Sequence, residues 1–240
     1  MLIHRLSRSH RRRIWGDYYK KVLSYDPTAY WPLWEPSGSV ARCLVNPAQN
    51  GSYTGVTLGQ PGIGDGHTAP LFDGANDYLN IGSATLLTAL NGAEWTVMQW
   101  VKASGSGVWT DSAERKLVYL PASDGNFIFT RKSSNSNQVD VAYKAGGITK
   151  VASHTSFSPT TFFCMMSTCS ATADAMKLYI DGIQRGGTQS SLGTWAHTFS
   201  AALIGALSAA PSQVWDGCLA HVALFGSALS PAAILDLATR

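Results

Sequence analysis

Residues able to do chemistry are few in this sequence and poorly spaced for it. Only three glutamates occur, Glu35, Glu94 and Glu114, and none has an Asp or Glu two residues later. Two carboxylates that act as acid and nucleophile or base across one bond lie roughly 5–9.5 Å apart, which on a strand means even spacing. The six histidines (His4, His10, His67, His154, His197 and His221) form no metal-ligand pair at helical spacing. His221 sits in an apolar run and reads as a structural histidine. No Gly-x-Ser-x-Gly elbow is present. The segment Gly62-Ile63-Gly64-Asp65-Gly66 breaks both the dinucleotide and the phosphate-loop patterns. Four cysteines (Cys43, Cys164, Cys169 and Cys218) are too few for a disulfide scaffold and lack zinc-finger spacing. Free, buried thiols are expected, with Cys164 and Cys169 on opposite faces of one strand.

What remains is aromatic. Trp109, Trp195 and Trp215 stand in polar, loop-like contexts and are the candidate ligand-binding residues, with edge packing as the competing reading. Trp31, Trp95 and Trp100 fall in apolar strand patterns and read as core. The expectation is a non-enzymatic protein with no cofactor and no metal.

The elements that must position these residues are short strands. Charged residues make up 14% of the chain, against about 25% in typical soluble proteins. Runs predicted as strands include Ala29–Trp34, Tyr53–Leu58, Tyr78–Ile81, Trp95–Lys102, Leu117–Leu120 and Phe127–Arg131. Val139–Tyr143, Phe162–Thr168, Met176–Ile180, Ala202–Gly205 and Cys218–Phe225 follow. Many short strands separated by glycine-rich turns indicate a sandwich or barrel. Ser230-Pro231 opens a short C-terminal helix, a serine cap with proline in the first turn.

The charge is uneven. The first 21 residues hold seven of the 18 Lys and Arg and one acid, so the remainder carries 11 basic and 14 acidic residues, a net of −3. Residues 1–26 read as a basic amphipathic arm, with Leu2, Leu6, His10, Ile14, Tyr18 and Val22 recurring every four residues. Asp26-Pro27 ends that pattern. Such a helix cannot bury its stripe alone and must dock on the domain, a partner subunit or a membrane surface. Arg5, Arg8, Arg11, Arg12, Arg13, Trp15, Tyr18 and Tyr19 are the candidate anchor residues. Arg11-Arg12-Arg13 could also contact nucleic acid, but the apolar stripe favours protein. No run of about 18 apolar residues exists, so no membrane span is expected, and Asp17, Lys20 and Lys21 interrupt what would be a signal-peptide core.

Within a domain read as residues 27–240, the stretch from Ala29 to about Ala238 resembles the laminin G-like, or concanavalin A-like lectin/glucanase, superfamily. Four segments carry the resemblance in order: Ala29-Tyr30-Trp31-Pro32-Leu33-Trp34-Glu35; Leu71-Phe72-Asp73-Gly74-Ala75-Asn76-Asp77-Tyr78-Leu79 leading into Trp95–Lys102; Lys177-Leu178-Tyr179-Ile180-Asp181-Gly182; and Gly217–Phe225 closing with Ala228-Leu229-Ser230-Pro231. The resemblance implies an all-β, two-sheet antiparallel β-sandwich, a jelly roll flanked by the N-terminal helix and the short C-terminal one. Some members cleave glycans with two carboxylates on one strand, a signature missing here. Others hold a structural calcium through aspartates where this sequence has Cys43 and Ala220, so that site is not expected. Asp73, Asn76 and Asp77 read as strand-end turn residues.

The sequence also looks like laminin G-like proteins encoded among phage structural genes. That likeness implies a virion surface protein, made in the host cytoplasm and anchored through residues 1–26 to other virion or self subunits. The domain would serve as capsid decoration or a tail-associated adhesion module displayed toward a cell-surface glycan. The alternatives are a free, extracellular lectin and, less favoured, a glycan-cleaving enzyme of the same fold.

Overall fold

The computed structural model describes residues 18–240. Arg5, Arg8, Arg11, Arg12, Arg13 and Trp15, with most of the predicted arm helix, lie outside the described residues. What is described of that helix is α1 (Tyr18–Leu23).

The chain then forms sixteen strands in two antiparallel sheets. The first sheet runs β14 (Ile183–Gln189), β13 (Ala175–Ile180), β12 (Phe163–Ser170), β7 (Glu94–Ala103), β16 (Asp216–Phe225), β5 (Thr68–Asp73) and β4 (Thr57–Pro61). Strand β1 (Ala29–Trp31) pairs with the second half of β16, beyond the stretch that pairs with β5. The second sheet runs β11 (Ile148–His154), β10 (Val139–Ala145), β9 (Phe127–Lys132), β8 (Arg115–Pro121), β15 (Leu203–Ile204), β6 (Tyr78–Asn80), β3 (Gly51–Thr54) and β2 (Val40–Ala41). Two further helices, α2 (Ala84–Ala89) and α3 (Pro231–Leu237), complete the fold. This is the expected jelly-roll sandwich.

Alternation along each strand divides the apolar residues between two cores. In β7, Trp95, Val97 and Val101 face the second sheet, while Met98 and Trp100 face the opposite way. The same parity separates Cys169 from Cys164, and all four cysteines are buried and free. The outer core is closed by α1 and α3, whose Tyr18, Val22, Ile234 and Leu237 are buried against the first sheet. Tyr18 and Val22 are one helical turn apart, so both reach the same surface. Full burial of a side chain such as Val22 is worth roughly 1.5–3 kcal/mol.

Two corrections concern strand limits. Tyr53–Leu58 is not one strand. Gly55, at φ 80°, turns the chain so that β3 joins the second sheet and β4 the first. Ala29–Trp34 pairs only as far as Trp31, because proline at 32 lacks a donor and Leu33 adopts φ 62°.

In the described part of the arm, Tyr18 docks on its own domain. The Tyr18 hydroxyl donates to Leu237 O at 2.6 Å and accepts from Trp100 Nε1 at 2.8 Å. Lys21 Nζ donates to Asp236 O and Thr239 O, at the carbonyl end of α3 where a cation is favoured. Tyr18→Phe should therefore lower stability by about 1–3 kcal/mol, because it leaves the buried indole N–H of Trp100 without its acceptor. Urea unfolding measures this, and an unchanged midpoint would show that the hydroxyl is not needed to hold α1.

Candidate functional site

The turn after β1 builds a groove. Leu33 is fully buried in the inter-sheet core, and its left-handed backbone delivers the next residue, Trp34, to the surface. Trp34 is braced by two rings, Tyr19 in a T-shaped contact at 5.3 Å and His67 tilted over the indole at 40° with centroids 4.3 Å apart. Thr68 Oγ1 donates to Trp34 O at 2.8 Å. Beside the indole, Trp34, Glu35, the turn 36–40 and Arg42 enclose an open groove of about 530 Å³.

Its polar groups are fixed from below. Glu35 is 8% exposed, and its two oxygens accept separately from Arg42 N–H and Tyr53 O–H, each at 2.9 Å. Burial, reinforced by the charge and hydrogen bond of Glu35, pushes the Tyr53 hydroxyl far above its ordinary pKa, so it remains a donor. No cation lies in salt-bridge range of Glu35 among the described residues, and the exposed Arg42 guanidinium has no side-chain partner there either. An aromatic ring, a rigid carboxylate and a free planar donor therefore line one groove. That set can stack on an apolar ring face while exchanging hydrogen bonds with hydroxyls.

The tryptophans expected to bind ligand lie elsewhere. Trp109 and Trp215 are both fully buried, 6.3 Å apart in an aromatic cluster with Phe157 and Phe163. Trp109 Nε1 is capped by Pro159 O. Polar neighbours in sequence hid the inward direction of both rings. Trp195 is half-buried, stacked on Tyr143 at 5.7 Å and tilted against Phe199. A Cβ on Gly92 would meet its ring at 1.9 Å, so the ring is packed there too. Neither Trp109 nor Trp215 offers a face to a ligand, and Trp195 is held by packing. Trp34 was overlooked, although a period-two count from the inward-facing Trp31 and Leu33 places it on the other side.

Behind the groove lies a closed relay. Strand β16 bulges between Ala220 and Ala223, and His221, at φ 48°, points into the outer core. Its Nδ1 is 2.6 Å from Tyr30 Oη and its Nε2 is 2.9 Å from Asp65 Oδ2. Burial, with the charge of Asp65, drives the Tyr30 hydroxyl far up in pKa. Tyr30 therefore stays protonated and donates to Nδ1, leaving the imidazole proton on Nε2 facing Asp65. Tyr18 closes the cluster edge-on at 4.9 Å. An Asp–His–hydroxyl chain can move protons, but His221 is 1% exposed and Tyr30 fully buried, so no substrate reaches it.

The expected turn chemistry is present. Asp77 Oδ2 accepts from Asp73 N, and Asp73 Oδ1 from Ala75 N and Asn76 N. Cys43 is bonded to Gln49 and Ala220 lies in the outer core, so neither position supplies the hard oxygen that a calcium ion takes. Among the described residues no group of three or more His, Cys, Asp or Glu is arranged to hold a metal, and no helix is long and apolar enough to cross a membrane.

Two antiparallel sheets packed as a jelly-roll sandwich give a concanavalin A-like fold. The chain belongs to the concanavalin A-like lectin/glucanases superfamily, whose laminin G-type family model matches residues 73–235. No curated protein matches the sequence. Among solved structures, Trypanosoma rangeli sialidase in complex with sialic acid superposes with a TM-score of 0.66 at 12% identity, over 88% of this chain and 32% of that one. The receptor binding domain of botulinum neurotoxin mosaic serotype C/D gives 0.67 at 10% identity, over 88% and 50%. The chain thus spans about a third to a half of these structures, and at such identities the likeness is one of fold.

Burial lowers the His221 pKa, against the opposing pull of Asp65. The folded protein then binds fewer protons than the unfolded chain, whose imidazole titrates near 6.5. Stability should fall as pH drops from about 7 to about 5, and His221→Gln should flatten that slope. Equal slopes in thermal melts across this range would refute a neutral His221.

Proposed function

We propose that this chain is a non-enzymatic carbohydrate-binding module that holds a saccharide in the Trp34 groove. The observation that carries this reading is the convergence of Trp34, Glu35 and Arg42 on one open groove, with the carboxylate immobilised by Tyr53. A pyranose presents an apolar ring face to the indole and hydroxyls to the two charged groups. Trp34 is already held by Tyr19 and His67, so little side-chain freedom is lost on binding.

The absence of catalysis rests on the carboxylates. Glu94 is bonded to Ser170 Oγ and Thr172 N. Burial would raise Glu114, but Lys116 and Arg131 outweigh it and hold the carboxyl below its usual range, so it stays ionised and is no proton donor at neutral pH. Glu35 accepts one fixed hydrogen bond on each oxygen, and no second carboxylate lines its groove.

The arm supplies attachment. Since Tyr18 and Tyr19 pack on their own domain, the anchoring contacts fall to the residues before them, Arg5, Arg8, Arg11, Arg12, Arg13 and Trp15. The likeness to phage structural proteins makes a virion surface the proposed setting, with virion or self subunits as the partners of the arm.

On a glycan array, displayed multivalently, the full chain should bind. Trp34→Ala and Arg42→Ala should each weaken binding tenfold or more, with folds intact by circular dichroism. Binding that survives both changes would refute the groove, and a blank array would refute carbohydrate recognition. Deleting residues 1–17 should leave glycan binding unchanged and abolish association with particles; retained association would place the anchor within the domain.

A further inference from the structure

The supports of Trp34 all lead back to one imidazole. The His221 backbone N–H donates to Pro32 O at 3.0 Å, two residues before the indole. Its Nε2 lies 2.9 Å from Asp65 Oδ2, and Asp65 Oδ1 accepts from the backbone of His67, whose ring is tilted over Trp34. Tyr18 meets the imidazole edge-on at 4.9 Å, and its neighbour Tyr19 makes the T-shaped contact with Trp34. His221 itself stands at φ 48° in the bulge of β16. Its side-chain contacts oppose the strain of that backbone.

These contacts specify a neutral ring. The Tyr30 hydroxyl is buried, and His221 Nδ1, at 2.6 Å, is its hydrogen-bonding partner. Burial keeps the hydroxyl protonated, so Nδ1 must accept. A second ring proton would sit on Nδ1 and face the Tyr30 proton. Turning the hydroxyl away would leave a buried donor without an acceptor.

The other groups around the ring do not relieve that conflict. Tyr18, from α1, is engaged with Leu237 O and Trp100 Nε1. Burial pushes the Cys164 thiol, on β12, far up, so it stays neutral. The Arg240 guanidinium, 5.6 Å from the Trp100 ring, brings positive charge to the edge of the cluster. Burial would raise the Asp65 carboxyl, but His221 and the backbone and charge of His67 outweigh it, so Asp65 stays ionised. Asp65 favours an imidazolium and burial disfavours it, and burial prevails. The inter-sheet core does not depend on this ring, because Leu219, Val222 and Leu224 of β16 fill it from the other face.

We infer that the groove carries an acid-operated release, in which protonation of His221 frees the bulge, slackens the supports of Trp34 and lets a bound saccharide go while both sheets stay folded. The ligand in this inference rests on the saccharide reading; the movement does not. The closed form binds fewer protons than the open one, whose imidazole titrates near about 6.5. Opening therefore sets in as pH falls through that value.

The test reads the empty groove first. Fluorotryptophan labelling of the full chain gives eight indole signals, with Trp34 assigned through Trp34→Phe. Between about pH 7.5 and about pH 5 the Trp34 signal should shift, with the same midpoint as the His221 ring followed by carbon-13 NMR. Hydrogen exchange, corrected for its intrinsic pH dependence, should accelerate tenfold or more over residues 29–42 and 62–68 and stay within twofold over β10 and β11. His221→Gln, whose amide repeats the neutral ring's one acceptor and one donor, should abolish both changes. His67→Phe, which keeps a ring against the indole, should retain them. Acid-indifferent signals, changes that survive His221→Gln, or changes lost in His67→Phe overturn the switch. Should His221→Gln not fold, separate wild-type midpoints for Trp34 and His221 refute it and coincident ones support it. A glycan array read at both pH values should lose binding tenfold or more in acid for wild type and not for His221→Gln. Equal binding at both overturns release. A blank array overturns the saccharide reading, and the opening then stands or falls on the spectra.

Discussion

The surface groove depends on one buried contact, that of His221 with Tyr30 and Asp65. The bulge that turns His221 inward also directs its backbone N–H to Pro32 O at 3.0 Å, which pins the end of β1 just before the turn that presents Trp34. Asp65, drawn to the imidazole, accepts from His67 N through its other oxygen, and His67 is one of the two rings bracing the indole. Tyr18 rests on His221 while its neighbour Tyr19 braces the indole from the other side. Three distant segments are thereby held against Trp34 by buried groups. A positive φ at a histidine is strained, and here the strain is offset by three polar contacts and the packing around them.

A second constraint follows from the sandwich. Each sheet has two faces, and one inter-sheet core satisfies only one of them. The first sheet solves this by recruiting α1, α3 and the loop that contains Ile63. The second solves it with polar side chains, paired charges and a few rings, which tolerate water.

The fold was legible in the sequence because alternation and turn residues are local signals. Trp95 to Lys102 announced both faces of β7, and Ser230-Pro231 announced α3. Edge strands were less legible: Ile148–His154 and Ile183–Gln189 face solvent over most of their length and show no clean alternation. The groove was almost illegible. Trp109 and Trp215 look solvated because their sequence neighbours are polar, yet tertiary packing turns both rings inward. Trp34 looks like core because it ends an apolar run, although its parity with the inward-facing Trp31 and Leu33 puts it on the other side. The pairing of Asp65 with His221 spans more than 150 residues of chain, which no local pattern reports. The side chains of Glu35 and Tyr53 meet only because β3 crosses to the second sheet.

The contact between α1 and α3 has a topological consequence. Lys21 and Tyr25 both bond Asp236, so the chain enters and leaves this domain at one spot, on the side away from the open sheet. A domain with neighbouring entry and exit points can be inserted as a cassette into a loop of another protein, or circularly permuted, without spreading its host. Its geometry is that of a bead on a single stalk, which can be moved between hosts without rebuilding its two sheets.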